Sequence, residues 1–164
     1  MTTSDVTTTE MAAIAIRPLD VDDVGDVLKL GQRVYDLTVK PYTSWSLTAV
    51  ATHLDGEGAS CWVARAADGR LAGFVLGSVG FDQRRDWGNL EWIATDPAFR
   101  GQGIAARLVT ACCRGLETAG VRAVVTDVES RNEASAGLMR RSGFEAGATV
   151  TLFVREVADI APGG

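Results

Sequence analysis

The sequence predicts an α/β chain built on one mixed, mostly antiparallel sheet with helices on both faces, and three observations predict it. Short apolar runs of strand length alternate with longer stretches of helical periodicity, in the order β-α-α-β-β-β-α-β-α-β. An Asp68-Gly69 pair separates two of the apolar runs, which marks them as hairpin partners. The 164 residues, 46% hydrophobic and 23% charged, suit one domain around a single core.

Each element has its own signal. The run from Ala12 to Arg17 alternates weakly and stops at Pro18, which cannot donate to a ladder. Asp20 is a helix cap, and Val24, Val27, Leu28, Val34 and Leu37 recur at near-helical spacing up to about Asp36, interrupted by Gly25 and Gly31; Pro41 ends that segment. Trp45 to Leu54 forms a second helix, with Ser44 or Ser46 as cap, before the loop Asp55-Gly56-Glu57-Gly58. Cys61–Ala66 and Leu71–Phe81 are the hairpin strands, and Asn89–Thr95 is the next strand. A helix follows from about Gly103 to Ala119, stopped by Gly120. Val121–Val128 is a valine-rich strand, Asn132–Arg141 a helix ended by Ser142-Gly143, and Thr149–Val157 the closing strand. Residues 1–10 read as a disordered tail, 11–157 as the domain, and 158–164 as a frayed end.

Composition excludes several classes of function. Sixteen basic residues against 21 acidic ones give a net charge of −5, which disfavours nucleic acid and anionic membrane surfaces as partners. Three cysteines cannot all pair, and adjacent Cys112 and Cys113 point to different sides of a helix, so neither a disulfide framework nor a metal site is expected. The tail has no basic start and no apolar run, and no stretch reaches the roughly 18 apolar residues of a membrane span. A cytoplasmic protein is the expectation.

The most informative stretch runs from Leu90 to Leu108, where a strand leads through a glycine-rich turn into a helix. Gly101 and Gly103 let the backbone fold closely with its amides exposed, and a helix start adds partial positive charge; together these suit an anion such as a diphosphate. Arg100 adds a full charge. The segment Gly101 to Ala106 also satisfies G-x-G-x-x-A, the dinucleotide pattern, but there the turn follows its strand at once, whereas Asp96 to Arg100 intervene here. Glycines present only to make a turn are the plainer alternative.

Arg100 to Ala105 reads R-x-x-G-x-A, and about thirty residues later Asn132 to Phe144 fits N-x-x-A…G-F. Together with the Ile-Arg-Pro opening, the Asp-Gly hairpin and the element order, these motifs resemble the GCN5-related N-acetyltransferases from about Ile14 to Val154. The resemblance implies acetyl-CoA, or a related acyl-CoA, as co-substrate, in a cleft where two parallel strands splay apart. It implies that Arg100, Gly101, Gln102, Gly103, Ile104 and Ala105 surround the diphosphate. It further implies that Ile93, Ala94 and Thr95 offer main-chain groups to the pantetheine arm and acetyl carbonyl, and that Asn132 contacts the pantetheine region. Asn132 is equally an ordinary helix cap.

An amine with a pKa near 8 to 10 is mostly protonated at neutral pH, so attack on a thioester needs a proton acceptor. Glu91, six residues before Pro97, resembles the strand glutamate that several of these enzymes hold beside the acceptor amine; it is the candidate base, or else a carboxylate that only attracts the amine. The family's usual general acid is a tyrosine four residues before the G-F glycine, and here that residue is Met139, whose thioether donates no proton. Water or Ser142 are substitutes, and the only tyrosines, Tyr35 and Tyr42, lie in the N-terminal helical region. Asp36, Trp45, Asp82, Asp86 and Trp87 fall in segments that border the acceptor side in similar proteins. His53, the sole histidine, reads as a polar helix end, and the cysteines read as core. The expected activity is direct acetyl transfer to a small-molecule amine or a peptide N-terminus, by a possible homodimer. The alternative is a noncatalytic acyl-CoA sensor.

Overall fold

The computed structural model describes residues 13–38, 43–56, 58–155 and 157. The expected tail, Pro41, Tyr42 and the frayed end lie outside them. The elements are β1 (Ile14–Pro18), α1 (Val24–Val34), α2 (Leu47–Leu54), β2 (Ser60–Ala66), β3 (Leu71–Phe81), β4 (Arg84–Thr95), α3 (Ile104–Thr118), β5 (Ala123–Val125) and α4 (Glu133–Arg141). The five strands lie side by side in chain order, antiparallel throughout except for the parallel pair β4 and β5.

The sheet buries both faces. On one, α1 and α2 cover Val63, Phe74, Leu76 and Ala94 with Val27, Leu30 and Val50; on the other, α3 covers Ala64, Val75 and Leu90 with Ile104, Leu108, Cys112 and Leu116. This is why β3 reads as an almost unbroken apolar run rather than an alternating one. Gly31, which interrupts the helical pattern, has a packing reason: a Cβ there would collide with the Trp45 indole, whose N–H donates to the Leu28 carbonyl at 2.9 Å.

Three elements depart from expectation. β4 starts five residues early, because the polar segment before Asn89 continues the β3 hairpin through Arg84, paired with Phe81. β5 keeps only the middle of the valine-rich run, since residues 126–129 turn away from β4. The expected last strand, Thr149–Val157, is absent among its described residues. An alternating run needs a ladder and a face to bury, and here Val150, Leu152 and Val154 stay exposed, with Phe153 94% exposed.

Asp23 ties β1 and β2 to the start of α1. It lies buried in the 3₁₀ turn Val21–Asp23, where it and Asp20 form a capping box. Its carboxylate accepts from Arg17 at 2.7 and 2.8 Å, from Arg65 at 2.6 Å and from the Asp20 amide at 2.8 Å. Burial alone would raise its pKa, but these donors outweigh it and hold the group down to about 2. Because the folded value lies below that of the unfolded chain, the stabilisation is complete above pH ~4 and vanishes as pH falls through about 2. Asp23→Asn is therefore expected to lower stability at neutral pH by about 3 kcal/mol, since Arg17 loses its carboxylate and Arg65 keeps only Asp26, at 2.8 Å. Urea unfolding from pH 7 down to 2 checks it: the gap between the two proteins should close on the acid side.

Candidate active site

The register of β4 sets the site. Trp92 pairs with Leu76 and Leu90 with Gly77, so Glu91 is an extra residue in a β-bulge. Leu90 packs under α3 and Trp92 under α1, as alternate residues of a strand would not without a bulge. The Glu91 carboxylate meets His53 of α2, with Nε2 to Oε2 at 2.6 Å. The Glu91 side chain is 44% exposed and that of His53 is 6% exposed.

The second determinant is the brevity of β5. Parallel pairing covers Trp87 with Ala123, Gly88 with Val124 and Asn89 with Val125, and no further. From Leu90 onward the edge of β4 that faces away from β3 has no strand beside it among the described residues. The two chains diverge around a cavity of about 590 Å³, roofed by the segment after α1 and by the first turns of α4. Glu91, Ile93 and Asn132 line it, as does Met139. Asp36, Asp127 and Glu129 add carboxylates to its wall, against one arginine, Arg131. Hydrogen bonds from the Thr38 hydroxyl and amide hold the Asp36 carboxyl below its ordinary range.

The glycine-rich turn lies just past β4 and does not line this cavity. Asp96 caps the 3₁₀ turn Pro97–Phe99, accepting from the Ala98 amide at 2.9 Å and from Arg33 at 2.7 Å. Gly101 and Gly103 then take φ of +78° and +70°, conformations that disfavour any side chain. Gly103 is the N-cap of α3, so the helix starts with no side-chain cap on its first amides. Both glycines are exposed, and a Cβ at either would meet nothing within 4 Å. Ile104 turns into the core, and Arg100 forms no ion pair among the described residues.

Other expected residues fall elsewhere. Ala94 and Thr95 continue β4, with the Ala94 side chain in the core and the Thr95 hydroxyl buried without a partner. Asn132 caps α4, accepting from the Ser135 amide at 3.1 Å, while also lining the cavity. Trp45 belongs to the core, within 5.1 Å of Tyr35 and 5.4 Å of Phe74 by ring centroids. Tyr35 reaches the cavity, its hydroxyl buried without a partner, and that burial pushes its pKa up. Asp86 is held by Arg84 at 2.8 Å, away from the cavity. All three cysteines are free, and burial pushes the Cys61 and Cys112 thiols up to about 11 and about 12, which disfavours a thiolate nucleophile. Among the described residues no His, Cys, Asp and Glu cluster suits a metal, and no helix is long and apolar enough to cross a membrane.

His53, expected at a polar helix end, is instead buried. Its signal was present: Val50 and His53 are three apart on α2, so the histidine sits on the buried stripe rather than on a polar end.

Solved structures share this architecture. The aminoglycoside N-acetyltransferase AAC(6')-Iy, in complex with the bisubstrate analogue CoA-S-monomethyl-acetylneamine, aligns with a TM-score of 0.73 at 22% identity, over 89% of this chain and 100% of that one. The ribosomal-protein-S18-alanine N-acetyltransferase from Escherichia coli aligns with a TM-score of 0.68 at 24% identity, over 83% of this chain and 80% of that one. The aminoglycoside 6'-N-acetyltransferase AAC(6')-Ih from Acinetobacter baumannii gives 0.70 at 17%, over 88% and 99%. No curated protein matches by sequence. The profile of the acetyltransferase (GNAT) family matches residues 31–144, more than half of the sequence, and the chain therefore belongs to that family.

Proposed function

We propose that this acetyltransferase moves the acetyl group of acetyl-CoA directly onto a primary amine, with Glu91 as the base. The acceptor in this reading is a cationic small molecule of the aminoglycoside or polyamine kind. One observation carries it: the bulge turns Glu91 onto a carboxylate-lined cavity at the point where β4 and β5 part.

The diphosphate of CoA fits the turn after β4. Its amides belong to Gly101, Gln102, Gly103, Ile104 and Ala105, no side chain caps them, and Arg100 stands beside them with its charge unpaired among the described residues. When bound, acetyl-CoA supplies a thioester whose carbonyl accepts the amine. The unpaired edge of β4 at Ile93, Ala94 and Thr95 offers main-chain groups to the pantetheine arm, and Asn132 faces the same space. Glu91 takes the proton that a protonated amine must lose before it attacks. Asp36, Asp127 and Glu129 favour a cation in the cavity over a neutral acceptor. The aminoglycoside acetyltransferases among the similar structures support a small amine. With its free thiols, the protein suits the reducing cytoplasm.

Met139 favours a second reading, a noncatalytic acyl-CoA sensor. It lines the cavity in the position of the usual acid and has no proton to donate. CoA release from acetyl-CoA, measured with spermidine, neamine and a peptide bearing a free N-terminus, separates the readings. Turnover with the first two supports the proposal, turnover with the peptide alone moves the acceptor to a protein N-terminus, and binding without turnover establishes the sensor.

Two substitutions test the parts separately. Glu91→Gln is expected to lower kcat at neutral pH roughly 100-fold or more, the usual worth of a positioned base, while acetyl-CoA affinity by calorimetry stays that of the unaltered protein. Gly103→Trp should instead weaken acetyl-CoA binding, since it puts an indole at the N-cap of α3, where a φ of +70° strains any side chain. Undiminished heat of CoA binding in that variant would remove the diphosphate site.

A further inference from the structure

We infer that His53 is a positioning residue for Glu91: the buried imidazole holds one carboxylate oxygen so that the other faces the cavity. The inference rests on Glu91 serving as the base.

The contact joins two groups that differ in freedom. Glu91 stands on a bulge at the cavity rim with a side chain 44% exposed, and a glutamate so placed has several rotamers available. His53 has none to spare. Its side chain is 6% exposed on the inner face of α2, and its own carbonyl accepts from the Cys61 thiol of β2 at 3.8 Å. The fixed ring therefore selects among the positions of the mobile carboxylate. Nε2 engages Oε2 at 2.6 Å, and Oε1 has no partner among the described residues.

The ring is poorly provided for in every other respect. Its Nδ1 is buried without a hydrogen-bond partner, which a leucine or methionine at the same place on the stripe would avoid. With Nδ1 left unmatched, the tautomer that carries its proton on Nε2 is the one that serves the carboxylate. A residue that costs the core an unsatisfied atom and makes one polar side-chain contact is explained by that contact, and the contact ends on the proposed base. A carboxylate displaced by an ångström from its amine loses most of its advantage, which is what the ring prevents.

The test uses the full-length protein and the fact that His53 is its sole histidine, so that ring nitrogen signals have one source. In ¹⁵N-labelled protein without a histidine tag, an Nε2-protonated tautomer is expected, with a shift that moves in Glu91→Ala. An Nδ1-protonated ring, or signals indifferent to Glu91→Ala, overturns the contact. Kinetics then test its purpose, with spermidine or neamine as acceptor. His53→Leu should lower kcat about 10- to 100-fold, leave KM for acetyl-CoA unchanged, and melt no lower than the unaltered protein. His53→Gln, whose amide reaches the Nε2 position, should restore most of the rate, whereas His53→Asn, whose amide reaches only Nδ1, should not. In the Glu91→Gln background His53→Leu should change the rate no further.

An unchanged kcat in His53→Leu, equal rates for Gln and Asn, or additive losses with Glu91→Gln overturns the role. So does unfolding of all three His53 variants, which would make the residue structural. If Glu91→Gln itself leaves kcat intact, or the unaltered protein acetylates no amine, the base assignment has failed and this inference with it. A rate that needs Glu91 but ignores His53 sinks the inference alone.

Discussion

β4 serves two neighbours with incompatible demands, and the candidate site is the result. Along one edge it must stay in register with β3, because the side chains of both strands fill cores on the two faces of the sheet. Along the other it meets β5 in parallel for only three pairs, after which no ladder joins the two strands among the described residues. A bulge at Glu91 is the local solution: it inserts a residue without unpairing β3, turns a carboxylate toward α2, and coincides with the point where β5 departs. Had β5 continued through Val128, the space now lined by Glu91, Ile93 and Asn132 would be closed by a ladder.

The rest of the fold keeps that strand rigid while leaving its free edge open. α3 packs across β2, β3 and β4 through Leu108, Val109, Cys112 and Leu116, and its first residue, Ile104, is buried. The helix start is therefore fixed in the molecule although no side chain caps it. On the other face, Trp45, Phe74, Tyr35 and Trp92 form one aromatic cluster, with ring centroids 4.9 to 6.4 Å apart. Trp92 is the neighbour of Glu91, so the cluster anchors the bulge from beneath. The Asp23 network performs a comparable service at a distance, clamping β1 and β2 to the entry of α1 with two arginines on one buried carboxylate.

Charge is distributed in keeping with these roles. The cavity wall is acidic, in line with the overall balance of the chain, while the turn before α3 has a helix start without a side-chain cap, and Arg100. A site with an anion-favouring end and a cation-favouring end suits a reaction that brings together a phosphorylated donor and an amine. The departure at Met139 matters in the same terms. A thioether in the cavity wall contributes packing and no proton, so any assistance to a departing thiolate must come from water or from another group.

What the sequence determined by itself was local and periodic. The Asp68-Gly69 hairpin, the glycine-rich entry to α3, the Asn132 cap and the order of elements follow from turn chemistry and spacing, and the R-x-x-G-x-A and N-x-x-A…G-F segments mark the family. Glu91 is singled out only by its resemblance to the strand glutamate of that family. Tertiary structure decided what depends on partners remote in the chain. It shortened β5 and left the described residues of Thr149–Val157 without a ladder, because a strand exists only where a neighbour accepts its hydrogen bonds. It drew Trp45 into the core through Gly31, removed Asp86 to an arginine pair away from the cavity, and brought His53 of α2 against Glu91 of β4. No periodicity within either element encodes that last meeting, since it arises from how a helix lies on a sheet and from one residue inserted in a strand.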